Sequence, residues 1–512
     1  MKILFIKSRN INTKVIGITP PLGLMYVASY IRATRGDDVR IFDISFHKAP
    51  LREIDRIIHE FEPDVIGISA LTLEAPALYQ IAHFVKTVTG APIIVGGPHA
   101  TSAPDEILEN KDIDIAVIGE GEVTFKELLD NLDAGQGIEK VDGIMYRQDD
   151  DIIRTPPRGY IDNLNELPFP AWDLIDVNKY AHVKSVSTII FRSSFLPYMV
   201  MLTSRGCPFQ CTFCHNIMGK NFRARSAENV LEEMRILVEQ YHINDFEIID
   251  DISNFDRERI KSILSGIIEK GWKVRLSFSN GVRTDMLDEE IISLMQKAGA
   301  SEVSIAVETV SPRLQKMIKK NLNLEKVKKM IEFAADRGIF LRGFFMFGFP
   351  TETEEEMKAT IDFACKSKLH IAYFFLLNPY KGTGIYEYVQ EMGLGKQLEK
   401  IQLDDFDYLA MPLNISDIPD EKFYKLYRSA YIKFYINPAR IFRILRTKAV
   451  VHDLFYHFNH ILPMVLLTLQ AMLFPLKGNK QTTLEQVEIT YHKKNTKYLS
   501  LWSSKKKQAS LR

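Results

Sequence analysis

Eleven short runs of β-branched and aromatic residues punctuate the first three quarters of the chain, and segments of helical spacing separate most of them. No other feature limits the possible folds so sharply. In the N-terminal part the runs are "KILFI", "DVRIFD", "DVIGIS", "PIIVGG" and "DIAVIG", with amphipathic stretches at residues 22–35, 75–89 and 122–132. Runs apolar on both faces, with helices between them, imply a parallel, doubly wound sheet of the Rossmann-like kind. Ligands in such sheets bind outside the carboxyl ends of the strands. Those ends carry Asp43, Ser69, Gly96, Gly97, Gly119 and Gly121, small or polar residues that let a bulky ligand approach the backbone. A nucleotide is the default ligand of this architecture, but no G-x-G-x-x-G follows a strand here, which weakens that default.

From residue 198 the alternation resumes with "YMVMLTS", "DFEIID", "KVRLSFS", "EVSIAVE", "IFLRGFFMF" and "IAYFFLL", and helices are expected between them, as at 227–241 and 352–368. Six such units predict a partial (β/α)6 TIM-type barrel with its chemistry at the strand C-termini. Residues 141–197 read as a connector carrying a hairpin in "GIMYRQDDDIIRTP". At 512 residues the chain exceeds one core, and the divisions expected are 1–140, 141–197, 198–393 and a mostly helical 394–512.

A 46% hydrophobic, 25% charged chain with a formal net charge of zero reads as soluble, with no general attraction to nucleic acid. The apolar run in "MKILFIKSRN" is too short for a signal peptide. Four cysteines cannot staple a chain of this size, so a reducing cytoplasm is expected. Residues 461–476, "ILPMVLLTLQAMLFPL", fall short of a spanning helix, and the tail beyond carries nine Lys or Arg against two Glu. A core helix with a solvated tail, or an apolar helix lying on an anionic membrane surface, both fit this pattern.

Three of the four cysteines, Cys207, Cys211 and Cys214, crowd into "SRGCPFQCTFCHN" with C-x3-C-x2-C spacing. They follow the first barrel strand, which puts the thiols on a loop at the barrel mouth. Thiolates in a compact loop favour zinc or an iron–sulfur cluster. Structural zinc wants a fourth ligand. His215 is tethered to Cys214 and aims elsewhere, and Cys365 reads as a free thiol on an amphipathic helix. A cubane cluster held by three thiolates leaves one iron open to a small ligand, while zinc remains the competitor on spacing alone.

"RGCPFQCTFC" resembles the signature of the radical S-adenosylmethionine superfamily. The resemblance implies that Cys207, Cys211 and Cys214 hold a 4Fe-4S cluster whose fourth iron is chelated by S-adenosylmethionine, with Phe213 beside the adenine. It implies cleavage to a 5'-deoxyadenosyl radical, and an electron donor such as a flavodoxin, a ferredoxin or a reductase. Asp250 and Asp251 in "EIIDD", Asn280 and Arg283 in "SFSNGVRTD", Glu308 in "IAVETVSP" and Arg342 before "GFFMFGFPTET" are further candidates for polar contacts with this cofactor or the substrate. Loop polarity explains either aspartate, and an ion pair between strands explains Glu308 and Arg342, without any cofactor. "NPYKGTGIYE" resembles a family turn usually written with Pro before Gly-Thr, where Lys381 stands here.

"PPLGLMYVASYIR", "GGPHATSAPDEIL", "IAVIGEGEVTFKELL" and "LPFPAWDL" resemble the cobalamin-binding domain and connector of cobalamin-dependent radical S-adenosylmethionine enzymes. On that resemblance residues 1–140 bind cobalamin, with Ser69, Gly96, Gly97 and Gly119 beside the corrin. The D-x-H-x-x-G motif of other cobalamin proteins is absent: after Asp43 the chain reads "ISFHKAP", which displaces His47, and His99 in "GGPH" is not assigned as an axial ligand. The expected activity is methylation of an unactivated centre in a small-molecule or lipid substrate. Alternatives are a radical cyclase or rearrangement enzyme of the same architecture, or a non-catalytic cobalamin or iron–sulfur sensor. Peripheral membrane contact through the C-terminal helices accompanies the lipid reading.

Overall fold

The computed structural model describes residues 1–9, 18–149, 151–183, 197–215, 217–398 and 414–446. They form two compact units, one of the N-terminal strand with residues 21–159, the other from residue 160 onward. The apolar segment at 461–476 and the basic tail lie outside the described residues.

The first unit is a seven-stranded sheet. Its strands are β1 (Lys2–Lys7), β2 (Asp38–Asp43), β3 (Val65–Ser69), β4 (Ile93–Gly96), β5 (Ile115–Val117), β6 (Ile144–Gln148) and β7 (Asp151–Arg154), in the order β2-β1-β3-β4-β5-β6-β7. The first five are parallel. The sheet is buried on both faces: Leu4, Ile66 and Ile93 on one side and Ile3, Val65 and Ile94 on the other are at most 1% exposed. Helices Leu22–Arg35, Pro50–Phe61, Ala75–Val88 and Gly121–Asp133 supply the covering layers. The strand order reverses direction at β1, so the β1–β3 boundary is a topological switch point, where such sheets bind ligands. The hairpin expected in the connector exists, but it is part of this sheet: β6 pairs antiparallel with β5 and β7 with β6. It covers an edge that β5 would otherwise expose.

The second unit holds six parallel strands: β8 (Tyr198–Met201), β11 (Asp245–Ile248), β12 (Arg275–Val282), β13 (Ala300–Glu308), β14 (Phe340–Phe347) and β15 (Ile371–Leu376), in strictly sequential order. Two short strands, β9 (Ser204–Arg205) and β10 (Arg223–Ala224), form a separate antiparallel ladder. Successive crossovers, each to the next neighbour, produce a partial barrel, as expected. One face of the sheet is apolar, with Ile248, Phe278, Val303 and Leu341 in lateral register, and Phe345 of that face meets Phe363 of helix Glu354–Lys366. The other face carries Glu247, Ser277 and Glu302 in register, then Ser304 and Arg342. A closed barrel fills its interior with Val, Ile and Leu, so this charged lining departs from the usual packing.

An open barrel leaves edges, and β15 is one of them. Helix Asp420–Tyr435 covers it with two tyrosines one turn apart. The Tyr431 hydroxyl accepts from Phe374 N–H and donates to Phe374 O, and the Tyr435 hydroxyl does the same at Ala372. Side-chain hydroxyls thus replace a missing strand. Next to them Arg440 is 1% exposed and donates to the carbonyls of Leu369, Phe434, Ala364, Cys365 and Ser367. Its guanidinium caps the carboxyl end of helix Glu354–Lys366, where unsatisfied carbonyls gather.

Candidate active site at the barrel mouth

The chain leaves β8, runs through β9 and enters the cysteine loop, which closes at β10 by the pairing Arg205↔Arg223 and Ser204↔Ala224. Gly206 starts the loop at φ +81°, and an added Cβ would lie 2.3 Å from Asn221 O and 2.9 Å from Met218 O. Only glycine fits there. Cys207 N–H donates to Gly219 O at 3.1 Å, while Thr212 N–H reaches Ile318 O and Thr212 O accepts from Ile385 N–H. The middle of the loop is therefore stitched to the segments after β13 and β15.

Cys207 and Cys211 are half-buried and Cys214 is exposed. Desolvation by the surrounding protein pushes all three thiols up, Cys214 to about 12, where the neighbouring thiols and Asp251 add to the effect. Lys320 and Arg283 pull Cys211 back toward the thiolate. Among the described residues no group of three or more His, Cys, Asp or Glu side chains is arranged to hold a metal ion. The donor set is nevertheless three soft thiols that feel one another's charge on a single loop, the chemistry an iron–sulfur cluster requires.

Asp250 follows β11 and is 2% exposed. Its carboxylate accepts from Thr203 N–H, the Thr203 hydroxyl and the Ser204 hydroxyl, so it pins the root of the cysteine loop instead of standing free for a ligand. Asp251 is raised by burial and by Asp250. Asn280 is exposed and donates to Ile249 O at 2.6 Å, which leaves its carbonyl oxygen to the mouth. Arg283 lies 3.7 Å over Phe209, pairs with Asp285 and donates to Lys320 O.

Glu308 and Arg342 do not pair with each other. Glu308 ends β13 in the left-handed region, φ +66°, at a register irregularity, and pairs with Lys320 at 2.9 Å. A non-glycine residue held there is strained, and such strain collects at functional sites. Arg342 sits at the opposite end of its strand, third of eight residues, paired with Glu302 and 5.7 Å over Tyr373. At about 3.3 Å per residue, the mouth is roughly 16 Å away. Arg342 is therefore an interior ion-pair residue, not a contact of the mouth.

Phe213, expected beside the adenine, packs edge-on against Phe349 at 6.4 Å with the Lys320 ammonium 5.7 Å from its ring. Phe349 is held by a residue the sequence did not mark. Glu352, 0% exposed, accepts from Gly348 N–H at 2.6 Å and Phe349 N–H at 3.2 Å, and burial raises it to about 8. In "PTETEEE" it looks like one more solvated first-turn carboxylate, so nothing in the sequence separates it. Lys320 was missed because its pairing with Glu308 closes across a loop.

In the first unit the expected residues line the switch-point end of the sheet. Gly97, at φ +90°, lies against Ser69, whose Oγ an added Cβ would meet at 2.5 Å. Gly119, at φ +82°, donates to Thr101 Oγ1 and has open space where a Cβ would point. Gly96 ends β4 beside Ser69 in register. Buried His99 contacts the Tyr79 hydroxyl at 3.2 Å, and the His47 ring packs on Phe42. Backbone without side chains at these strand ends, with open space at Gly119, fits a large planar ligand.

Known proteins agree with this division. The radical S-adenosylmethionine superfamily profile matches residues 201–364, and that of the B12 binding domain matches residues 9–129. An uncharacterized methyltransferase of Pyrococcus horikoshii, PH0819, is 33% identical over 469 residues, 90% of this chain and 96% of that protein. The chain belongs to the cobalamin-binding radical S-adenosylmethionine enzymes. The cofactors of this family are a 4Fe-4S cluster, S-adenosylmethionine and cobalamin. Cytidylyl-2-hydroxyethylphosphonate methyltransferase of Streptomyces wedmorensis is a further relative, 29% identical over 420 residues, 71% of this chain and 77% of that one. Among solved structures, the radical S-adenosylmethionine methyltransferase TsrM of Kitasatospora setae, with cobalamin and a [4Fe-4S] cluster bound, superposes with a TM-score of 0.65. That match has 19% identity and covers 86% of this chain and 89% of TsrM, a likeness of fold.

Proposed function

We propose that this radical S-adenosylmethionine enzyme is a methyltransferase acting on an unactivated centre of a small-molecule or lipid substrate. The observation that carries the proposal is the pairing, in one chain, of a three-thiol loop, with no fourth side-chain donor among the described residues, and glycine-bearing strand ends at the carboxyl edge of the first sheet. Cys207, Cys211 and Cys214 hold the cluster on this reading, and the vacant fourth position receives S-adenosylmethionine. Bound together, the cofactors supply reductive cleavage of the sulfonium for hydrogen abstraction and a cobalt centre as methyl carrier.

The remaining residues bind and orient. Phe213, held by Phe349 and with the Lys320 ammonium over its ring, stands beside the adenine on this reading. Glu308, with Lys320 as its counter-charge, and Asn280 present polar atoms at the mouth for the amino acid or ribose part. Asp250 contributes indirectly, by fixing the loop root. Ser69, Gly96, Gly97 and Gly119 give the corrin a flat seat. Electrons come from a flavodoxin, ferredoxin or reductase, and the protein works in the cytoplasm. No helix among the described residues is long and apolar enough to cross a membrane.

The test is anaerobic incubation of the reconstituted protein with cobalamin, reductant and methyl-labelled S-adenosylmethionine, with the cobalamin and the small-molecule pool followed by mass spectrometry. Transfer of label to cobalamin together with release of 5'-deoxyadenosine is the expected result. Release of 5'-deoxyadenosine while label never leaves S-adenosylmethionine rejects methyl transfer.

A further inference from the structure

The corner between helices Asp420–Tyr435 and Pro438–Arg446 exposes an apolar patch that belongs to neither the cysteine loop nor the glycine-bearing strand ends. Ile432 is 49% exposed, Ile436 67%, Ile441 47% and Phe442 60%. A soluble surface scatters such residues singly, so four within eleven positions on one corner require an explanation.

The patch is held rigidly. Tyr431 and Tyr435, interleaved with Ile432 and Ile436, are bonded to the edge of β15, and Arg440, immediately before Ile441 and Phe442, is bonded to five carbonyls. Asn437 closes the corner by accepting from Ala439 N–H and Arg440 N–H. Exposure of the four apolar side chains is therefore built into the fold and is not a frayed end.

Charge identifies the occupant. Residues 422–446 contain seven Lys or Arg and no Asp or Glu, in a chain whose net charge is zero. Lys425, Arg428, Ile432 and Ile436 follow one another at three- and four-residue spacing, so cations and apolar residues share one helix face, and Lys433 adds a further exposed cation. The basic segment beyond residue 476, nine Lys or Arg against two Glu, is repelled by such a surface, and the uncharged run at 461–476 is the competing occupant that the test below separates. Lys422 pairs with Glu354 and Arg440 is buried, which leaves Lys425, Arg428 and Lys433 as the exposed cations of helix Asp420–Tyr435 beside the apolar corner. Apolar side chains flanked by such cations match the interface of an anionic lipid bilayer, where the former enter the acyl boundary and the latter meet phosphate.

We propose that this corner docks the enzyme peripherally on an anionic membrane surface, with Ile436 and Phe442 inserted and Lys425, Arg428 and Lys433 on the headgroups. The proposal does not depend on methyl transfer. Its test is flotation of the full-length, cofactor-loaded protein with vesicles of phosphatidylcholine alone and with about one quarter phosphatidylglycerol. Expected are binding only to the anionic vesicles, and an at least tenfold weaker partition, about that order, for Ile436→Glu with Phe442→Glu and for Lys425→Gln with Arg428→Gln and Lys433→Gln. Unchanged melting temperatures without vesicles confirm that the variants fold. Absence of binding to anionic vesicles, or binding unaffected by both sets of variants, overturns the proposal. So does a clear drop in melting temperature for Ile436→Glu without lipid, which assigns the patch to the chain's own tail. A dimer abolished by the same change assigns it to a second copy and also overturns the proposal.

Discussion

Asp250 and the three cysteines flank the same stretch of chain yet are satisfied in opposite ways. Asp250 is buried and spends its carboxylate on Thr203 and Ser204. The thiols stand half-buried to exposed with their protons held on by desolvation. One group completes the protein, and the other is completed by something the protein binds. The difference separates residues that build a mouth from residues that use it, and it can be broken from either side.

The largest effect is expected at the cysteines. On the proposed assignment Cys211→Ala removes one of three cluster ligands, so the visible absorbance of the cluster and the cleavage of S-adenosylmethionine are expected to disappear, while the melting temperature of the cluster-free protein shifts by no more than a few degrees, about the scale of a surface change. Thiols must lose their protons to bind iron. Because all three are raised, cluster uptake rises with pH, higher at about pH 8.5 than at about pH 6.5. Equal uptake at both values contradicts the electrostatics of the loop.

At Asp250 the balance reverses: stability suffers first. Asp250→Asn places an amide NH2 against a backbone donor or a hydroxyl and leaves one of them unpaired, at a cost of about 2–4 kcal/mol. Urea denaturation reads this directly. A loss below about 0.5 kcal/mol would show that the carboxylate is free for a ligand after all.

Glu352 extends the comparison to pH. Its folded value of about 8 lies above the ordinary 4.5, so the folded chain keeps a proton that the unfolded chain has already released. The Glu352 contribution to stability is therefore full below about pH 4.5 and declines as pH rises from there through about 8, by up to about 5 kcal/mol. Glu352→Gln keeps an oxygen for Gly348 N–H and Phe349 N–H, and its urea midpoint is expected to lose this slope. A variant with the slope intact rejects Glu352 as the source.

The sequence disclosed what local pattern determines and hid what depends on pairing across the chain. All eleven expected strands are present, because each is a β-branched run buried by the sheet, and the cysteine crowding located the mouth. The hairpin at β6 and β7 was visible as a hairpin, but its membership in the first sheet follows from β5, which lies about 30 residues earlier. Arg342 was visible as a strand arginine, but its place at the far end of β14 emerges only from the register with Ser304 and Ile371. Glu308 with Lys320, and Glu352 with the Gly348–Phe349 amides, are contacts that composition does not distinguish from solvated charge. The docking corner shows the same limit: Ile432 and Ile436 look like core residues until the tyrosines beside them are seen to take the inward positions.

The smallest expected effect sits between the two kinds of residue. Phe213 belongs to the cysteine loop by sequence, yet it has a protein partner in Phe349 on one side. Phe213→Leu forfeits an edge-to-face aromatic contact worth about 0.5–1.5 kcal/mol, so the melting temperature falls only slightly. If the ring also meets the adenine, the same change raises the KM for S-adenosylmethionine severalfold at nearly constant kcat, because a contact present in both ground and transition states has been removed. Phe349→Leu removes the support without touching the cofactor, and its effect on KM is smaller than on stability. Equal kinetic effects of the two substitutions would mean that Phe213 acts only through its packing, as a residue that builds the mouth.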